Sequence, residues 1–159
     1  MDKCWKVGIG FGLASGVITT LGLMVGLYAS TNSRPVVLGG ILTIAIADAL
    51  SDAFGIHLSE ESEGVHTEKE IWASTIVTFL SKLIVALSFL VAVLLLPLKA
   101  GILTNIGYSF LIIGIYSYIV AKKQKNSAIK AIFEHFSIVA LVTIVTFFLG
   151  KGIDLIFIP

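Results

Sequence analysis

Charge is what this sequence lacks. Only 13% of its 159 residues are charged, about half the ~25% usual for a soluble domain. With 57% of residues hydrophobic, an ordinary water-soluble fold is excluded and a membrane is indicated. There is one cysteine, Cys4, so no internal disulfide can form; its place beside the first apolar run fits palmitoylation, but we assign it no role. The net charge is +1 and the one strongly basic stretch is "KKQK", so nothing points to nucleic acid as a partner. Also missing are a nucleophile paired with a base, a phosphate-cradling glycine loop and a paired-cysteine metal knuckle. Neither an enzyme nor a tightly bound cofactor is expected.

What is present is a series of long apolar runs. A helix needs about 20 apolar residues to cross the hydrocarbon of a bilayer, and five stretches qualify: 7–30, 36–57, 71–96, 100–120 and 128–150. The opening "MDKCWKVGIGFGLASGVITT" has a basic start like a signal peptide, but its apolar part runs too long, and it reads as a retained first span. Punctuation between runs fits: "TNSRP" brings a proline able to start the second helix, "PLKAG" closes the third, and "AKKQKNS" separates the last two. The expectation is an all-α integral membrane protein of five spans in one domain, residues 1–159, with an acidic loop at 58–70.

Lysine and arginine in the short loops set orientation. Lys3, Lys6, Lys69, Lys122, Lys123, Lys125 and Lys130 fall on one side, against Arg34, Lys99 and Lys151 on the other. The amino terminus and the acidic loop are therefore expected in the cytoplasm, and the carboxyl terminus outside or in a lumen, with the tail "IDLIFIP" at the interface.

Along the first span Gly8, Gly12, Ser15, Thr19, Gly22 and Gly26 recur at steps of four and three, a stripe that lets helix backbones approach closely. Packing within one subunit and packing across a dimer fit it equally.

The second span holds the unusual chemistry. Ala45, Asp48, Asp52, Gly55 and Ser59 follow the same spacing, which sets both carboxylates on one face, about 6 Å apart along the axis. Ionised groups at that depth usually mark an ion or proton path or a charge partner. Folding the next hairpin about Val65, with Thr67 and Glu70 as a capping box, brings Lys82 level with Asp48. If those two neutralise each other, Asp52 is left as the unpaired cation ligand or proton carrier, with Ser51, Ser15 and Thr19 as neutral oxygen ligands. The loop adds His57, Glu60, Glu61, Glu63, His66, Glu68 and Glu70 as donors that can collect divalent cations, or serve only as a solvated turn. Glu134 and His135 in the last span are a candidate proton relay.

The stretch "ADALSDAFGIHLSEESE" resembles the signature of the vacuolar iron transporter family at Ala47, Asp48, Ser51, Gly55, Leu58, Ser59, Ser62 and Glu63. Gly16, Thr19 and Thr20 fit the family's first helix, and "SAIKAIFEHFSIVALVTIVTFFLGKGI" is similar to its closing one. This resemblance implies a dimer of five-helix subunits that exports Fe2+, Mn2+ or a similar divalent cation from the cytoplasm in exchange for protons. Asp48, Asp52, Ser51, Ser15 and Thr19 would form the site, and His57 and Glu63 the first ligands on the cytoplasmic side. Ser15 stands where the family has an aspartate, Asp52 where it has a methionine, and His57 where it has a tyrosine. A carboxylate in place of a thioether favours harder ions. The short chain fits a prokaryotic plasma membrane better than a vacuole. Two other readings stand beside this one. The first is a non-transporting protein of the same fold, with Asp48 and Lys82 as a structural pair and the loop contacting a partner. The second has an organic cation or lipid as the substrate.

Overall fold

Inside hydrocarbon no water is available to backbone amides and carbonyls, so an apolar run satisfies its own hydrogen bonds by becoming a helix. A computed structural model of the protein describes residues 3–157, with side chains from residue 5 onward, and within them the chain forms five α-helices and no strand. They are α1 (Lys3–Thr31), α2 (Arg34–Glu63), α3 (Glu68–Leu95), α4 (Leu98–Lys123) and α5 (Ala128–Phe157). All five are long and apolar enough to span a membrane. The side chains of Lys3 and Cys4 lie outside the described residues.

Most helix ends run past the expected spans, whereas α3 stops at Leu95, one residue short. The stretch expected as an acidic loop at 58–70 is helical through Glu63, so α2 carries "HLSEESE" as its last two turns. Gly64, at φ +64, then breaks the helix, a backbone region open to glycine. Thr67 starts α3: its hydroxyl accepts from the Glu70 amide at 3.4 Å, and Glu70 Oε2 accepts from the Thr67 amide at 2.9 Å. Asn32 closes α1 at φ 45, a left-handed position that asparagine tolerates, and Pro35 sits in the first turn of α2, where its missing N–H costs nothing. The tail from Ile153 continues α5 as far as Phe157, and residues 158–159 lie outside the described residues.

The core holds apolar side chains such as Leu21, Met24 and Phe89, but burial departs from that of a water-soluble protein in two ways. Lys82, Ser74, Thr78, Asn105 and Ser109 are buried, whereas Ile46, Leu50, Phe54, Ile84 and Leu94 are exposed. Lipid tails are as apolar as leucine, so large side chains gain nothing by turning inward, and small or hydrogen-bonding ones line helix contacts. That pattern places these helices in a bilayer.

Two compact units divide the chain part-way along the first three helices. The first holds α1 up to Thr20 together with Ile41–Phe89. In it, Gly8, Gly12 and Gly16 of α1 meet α3 along Ser74, Thr78 and Lys82; a methyl group on Gly12 would lie 2.7 Å from the Thr78 carbonyl oxygen. The buried face of α2 in this unit is Ile41, Ala45, Ala49 and Ala53, small for most of its length. The second unit holds Leu21–Gly40 and the chain from Leu90 onward. There Gly22 of α1 packs on Val142 and Thr146 of α5, and α4 buries Gly101, Asn105, Ser109, Ile113, Ser117 and Ala121, one residue every four. Asn105 Nδ2 donates to Met24 Sδ at 3.2 Å, and Arg34 donates to the Leu96 carbonyl at the end of α3 at 2.7 Å. The small-residue stripe of α1 is thus used for contacts within the chain.

Candidate functional site

In the first unit, three helices each contribute to a single charged cluster. The glycines at positions 12 and 16 hold α1 against α3, which brings Ser15 within reach of Lys82. Spacing of four residues sets Asp48 and Asp52 on one face of α2, beside its buried alanines. Lys82 reaches across from α3: its ammonium lies 2.5 Å from Asp48 Oδ2 and also pairs with Asp52 Oδ2. It donates to Ser15 Oγ at 2.9 Å, and Ser15 Oγ in turn donates to Asp52 Oδ2 at 2.6 Å. The Asp48 contact is an ion pair without hydrogen-bond geometry, whereas the Asp52 contact has that geometry.

The side chain of Lys82 is 1% exposed, while those of Asp48 and Asp52 keep 27% and 19% of their surface open. Both carboxylates direct one oxygen at the ammonium, and neither Oδ1 makes a hydrogen bond among the described residues. With all groups ionised the cluster carries one net negative charge. Three acceptors surround the ammonium, and the Ser15 proton points to a carboxylate. The cluster thus joins α1, α2 and α3 through one buried ammonium and its three oxygen acceptors.

Sequence reasoning placed Lys82 beside Asp48 and left Asp52 without a partner. The structure corrects the second half of this: Asp52 shares the lysine and also accepts from Ser15. One turn of helix separates the two acids, and a lysine stem extended between them reaches both. Ser15 joins the cluster as expected. Thr19 does not, because its hydroxyl donates back to the Ser15 carbonyl at 2.9 Å. Ser51 is exposed on α2, about 100° around the helix from Asp52.

His57 turns to α3, where Nδ1 lies 3.0 Å from Thr75 Oγ1 and the ring meets Trp72 edge-on at 4.7 Å. Glu63 belongs to a second group, in which Glu60, Glu63 and His66 each offer a ligand atom within 4.8 Å of the others. There His66 Nε2 is 3.0 Å from Glu60 and 3.8 Å from Glu63. Glu70 is spent on capping α3, and Glu61 and Glu68 are exposed. In the second unit Glu134 is exposed, and His135 Nδ1 lies 2.7 Å from Ser117 Oγ. The Ser117 contact and the four-residue stripe on α4 were overlooked in the sequence, although the spacing of Gly101, Asn105, Ser109 and Ser117 signals them.

Fold and site together define an all-helical integral membrane protein with a lysine held between two aspartates inside its helices. Compared with models of known families, with curated proteins and with solved structures, the chain finds no match.

Proposed function

We propose that the protein is a transporter that exports a divalent cation of the Fe2+ or Mn2+ class from the cytoplasm in exchange for protons, with Asp48 and Asp52 as its ligands. The observation that carries this reading is that both carboxylates keep open surface and an uncommitted oxygen while sharing one buried lysine. The family resemblance of the second span gives the substrate class. Glu60, Glu63 and His66 would meet the cation first on the cytoplasmic side.

Charge arithmetic gives the lysine a task. At an effective dielectric of about 20, two unit charges ~4 Å apart interact by about 4 kcal/mol. A dication between two carboxylates then gains about 16 kcal/mol and loses about 8 to the ammonium. A proton on either acid removes another ~8, and the balance falls to near zero. Without Lys82 the protonated site would still attract the dication; with it, one proton is enough for release. Asp52 is the acid we assign to that proton.

Mn2+ uptake into proteoliposomes under an imposed pH gradient tests the reading. The wild type is expected to accumulate Mn2+ in proportion to the gradient and Asp52→Asn to lose that uptake; transport unchanged in Asp52→Asn removes the central residue. Association of two copies is part of the proposal, since the apolar span of α5 is only 6% buried and leaves area for a second subunit. The completeness of the ion-pair cluster favours one rival: a non-transporting membrane protein in which Lys82 and the two acids serve only to join α2 and α3. That rival predicts no uptake under any gradient.

A further inference from the structure

In the second unit a cleft of about 480 Å3 opens among α1, α4 and α5. Its floor is buried and apolar, with Val25, Ala29 and Ile102 almost inaccessible, whereas Leu103, Ile144 and Phe148 on its rim are exposed. Its charged residues are two lysines, Lys99 in the first turn of α4 and Lys151 near the end of α5. Tyr28 and Asn32, at the end of α1, line it as well.

These residues are sorted by depth. On α1 the lining runs from Asn32 to Val25, on α4 from Lys99 to Ile106, and on α5 from Lys151 to Thr143, about 10–12 Å of helix in each case. Asn32 just after α1, Lys99 in the first turn of α4 and Lys151 about two turns before the end of α5 form the polar end of the lining, and the rest of it is apolar apart from Tyr28 and Thr143. A water-soluble ligand would need a polar floor; this cleft has a cationic end and an apolar length with a lipophilic rim.

We infer that the cleft is a binding site for an anionic phospholipid, with the phosphate between Lys99 and Lys151 and one acyl chain along Val25, Ile102 and Ile106. Charge complementarity selects the headgroup. Asp154 pairs with Lys151 at 2.9 Å, but that pair is exposed and within one helical turn, and such pairs are weak enough for a phosphate to displace. Lys99 is paired with no carboxylate among the described residues. Together with Arg34, these lysines give this end of the second unit an excess of positive charge.

Native mass spectrometry of the full chain in detergent, titrated with dioleoylphosphatidylglycerol or dioleoylphosphatidylcholine, tests the site. The anionic lipid is expected to bind at least tenfold more tightly, and Lys99→Gln/Lys151→Gln to bring it to the level of the neutral one without changing the melting temperature of the lipid-free protein. Leu103→Trp, which keeps both charges and fills the rim, is expected to weaken both lipids. Equal binding of the two lipids by the wild type overturns the proposal. So does full competition by inorganic phosphate, which marks a site for the anion alone. A cleft that excludes lipid because a second copy covers it, seen as lipid-free dimers, overturns it as well.

Discussion

Lys82→Met removes one charge and little else, since methionine fills most of the space of the lysine stem. The Lys82 side chain is 1% exposed, and its ammonium pairs with both Asp48 and Asp52. Removing one member of a buried ion pair costs about 3–5 kcal/mol, because the charge left behind is uncompensated. The two acids retain 27% and 19% of their surface, so the lower end, about 3 kcal/mol, applies. At ~2–4 °C per kcal/mol for a domain of this size, thermal unfolding in detergent should fall by about 6–12 °C. Tryptophan fluorescence can follow it, because Trp72 sits on α3 against His57. The apolar triple variant Asp48→Leu/Asp52→Leu/Lys82→Met removes every charge together, and replacement of a buried ion pair by apolar residues of similar volume is often neutral or better; it should recover most of the loss. A Lys82→Met protein that melts within about 2 °C of wild type would refute the reasoning, as would a triple variant no more stable than the single one.

The close contact of α1 with α3 gives a second expectation. Gly12→Val places its Cβ 2.7 Å from the Thr78 carbonyl oxygen and should cost about 1–3 kcal/mol by overpacking, read as a lower melting temperature. Gly107→Ala, with nothing within 4 Å of the new methyl, should be neutral or stabilising. Ser15→Ala deletes a hydroxyl that accepts from Lys82 and donates to Asp52; about 1.5–3 kcal/mol of stability should go with it, and calorimetry should show weaker Mn2+ binding. Thr67→Val removes the cap of α3 and should cost about 1 kcal/mol, read as a lower melting temperature.

Much of this structure could be read from the chain because bilayer constraints are strict. Long apolar runs must become helices, and all five were visible. Their ends were not: Leu58 to Glu63 is polar enough to read as a loop, yet nothing breaks the helix before Gly64 reaches φ +64. Asp48, Asp52 and Lys82 stood out as charges in apolar surroundings, and helical spacing with the hairpin turn put them together. The sharing of one ammonium by two carboxylates depends on the reach of a lysine stem, which spacing alone does not give. Donors of the acidic segment looked equivalent in sequence; folding separated them into a cap (Glu70), a triad (Glu60, Glu63 and His66) and exposed residues.

The cluster of Lys82, Asp48 and Asp52 also bears on how the chain is made. Each charge at the centre of a lone span costs about 2.5–3.5 kcal/mol on entering the bilayer from the translocon, so α2, with two aspartates near its middle, faces about 5–7 kcal/mol. Its leucines and isoleucines return only ~0.3–0.6 kcal/mol each. Pairing with α3 removes most of that cost, and the turn joining the two helices is only Gly64 to His66 with the cap Thr67. The α2–α3 hairpin is therefore expected to enter the membrane as one unit, held at the translocon until Lys82 has been synthesised. Chains truncated before Lys82 should integrate α2 poorly in a glycosylation-tag insertion assay, and chains extended past α3 should integrate it fully.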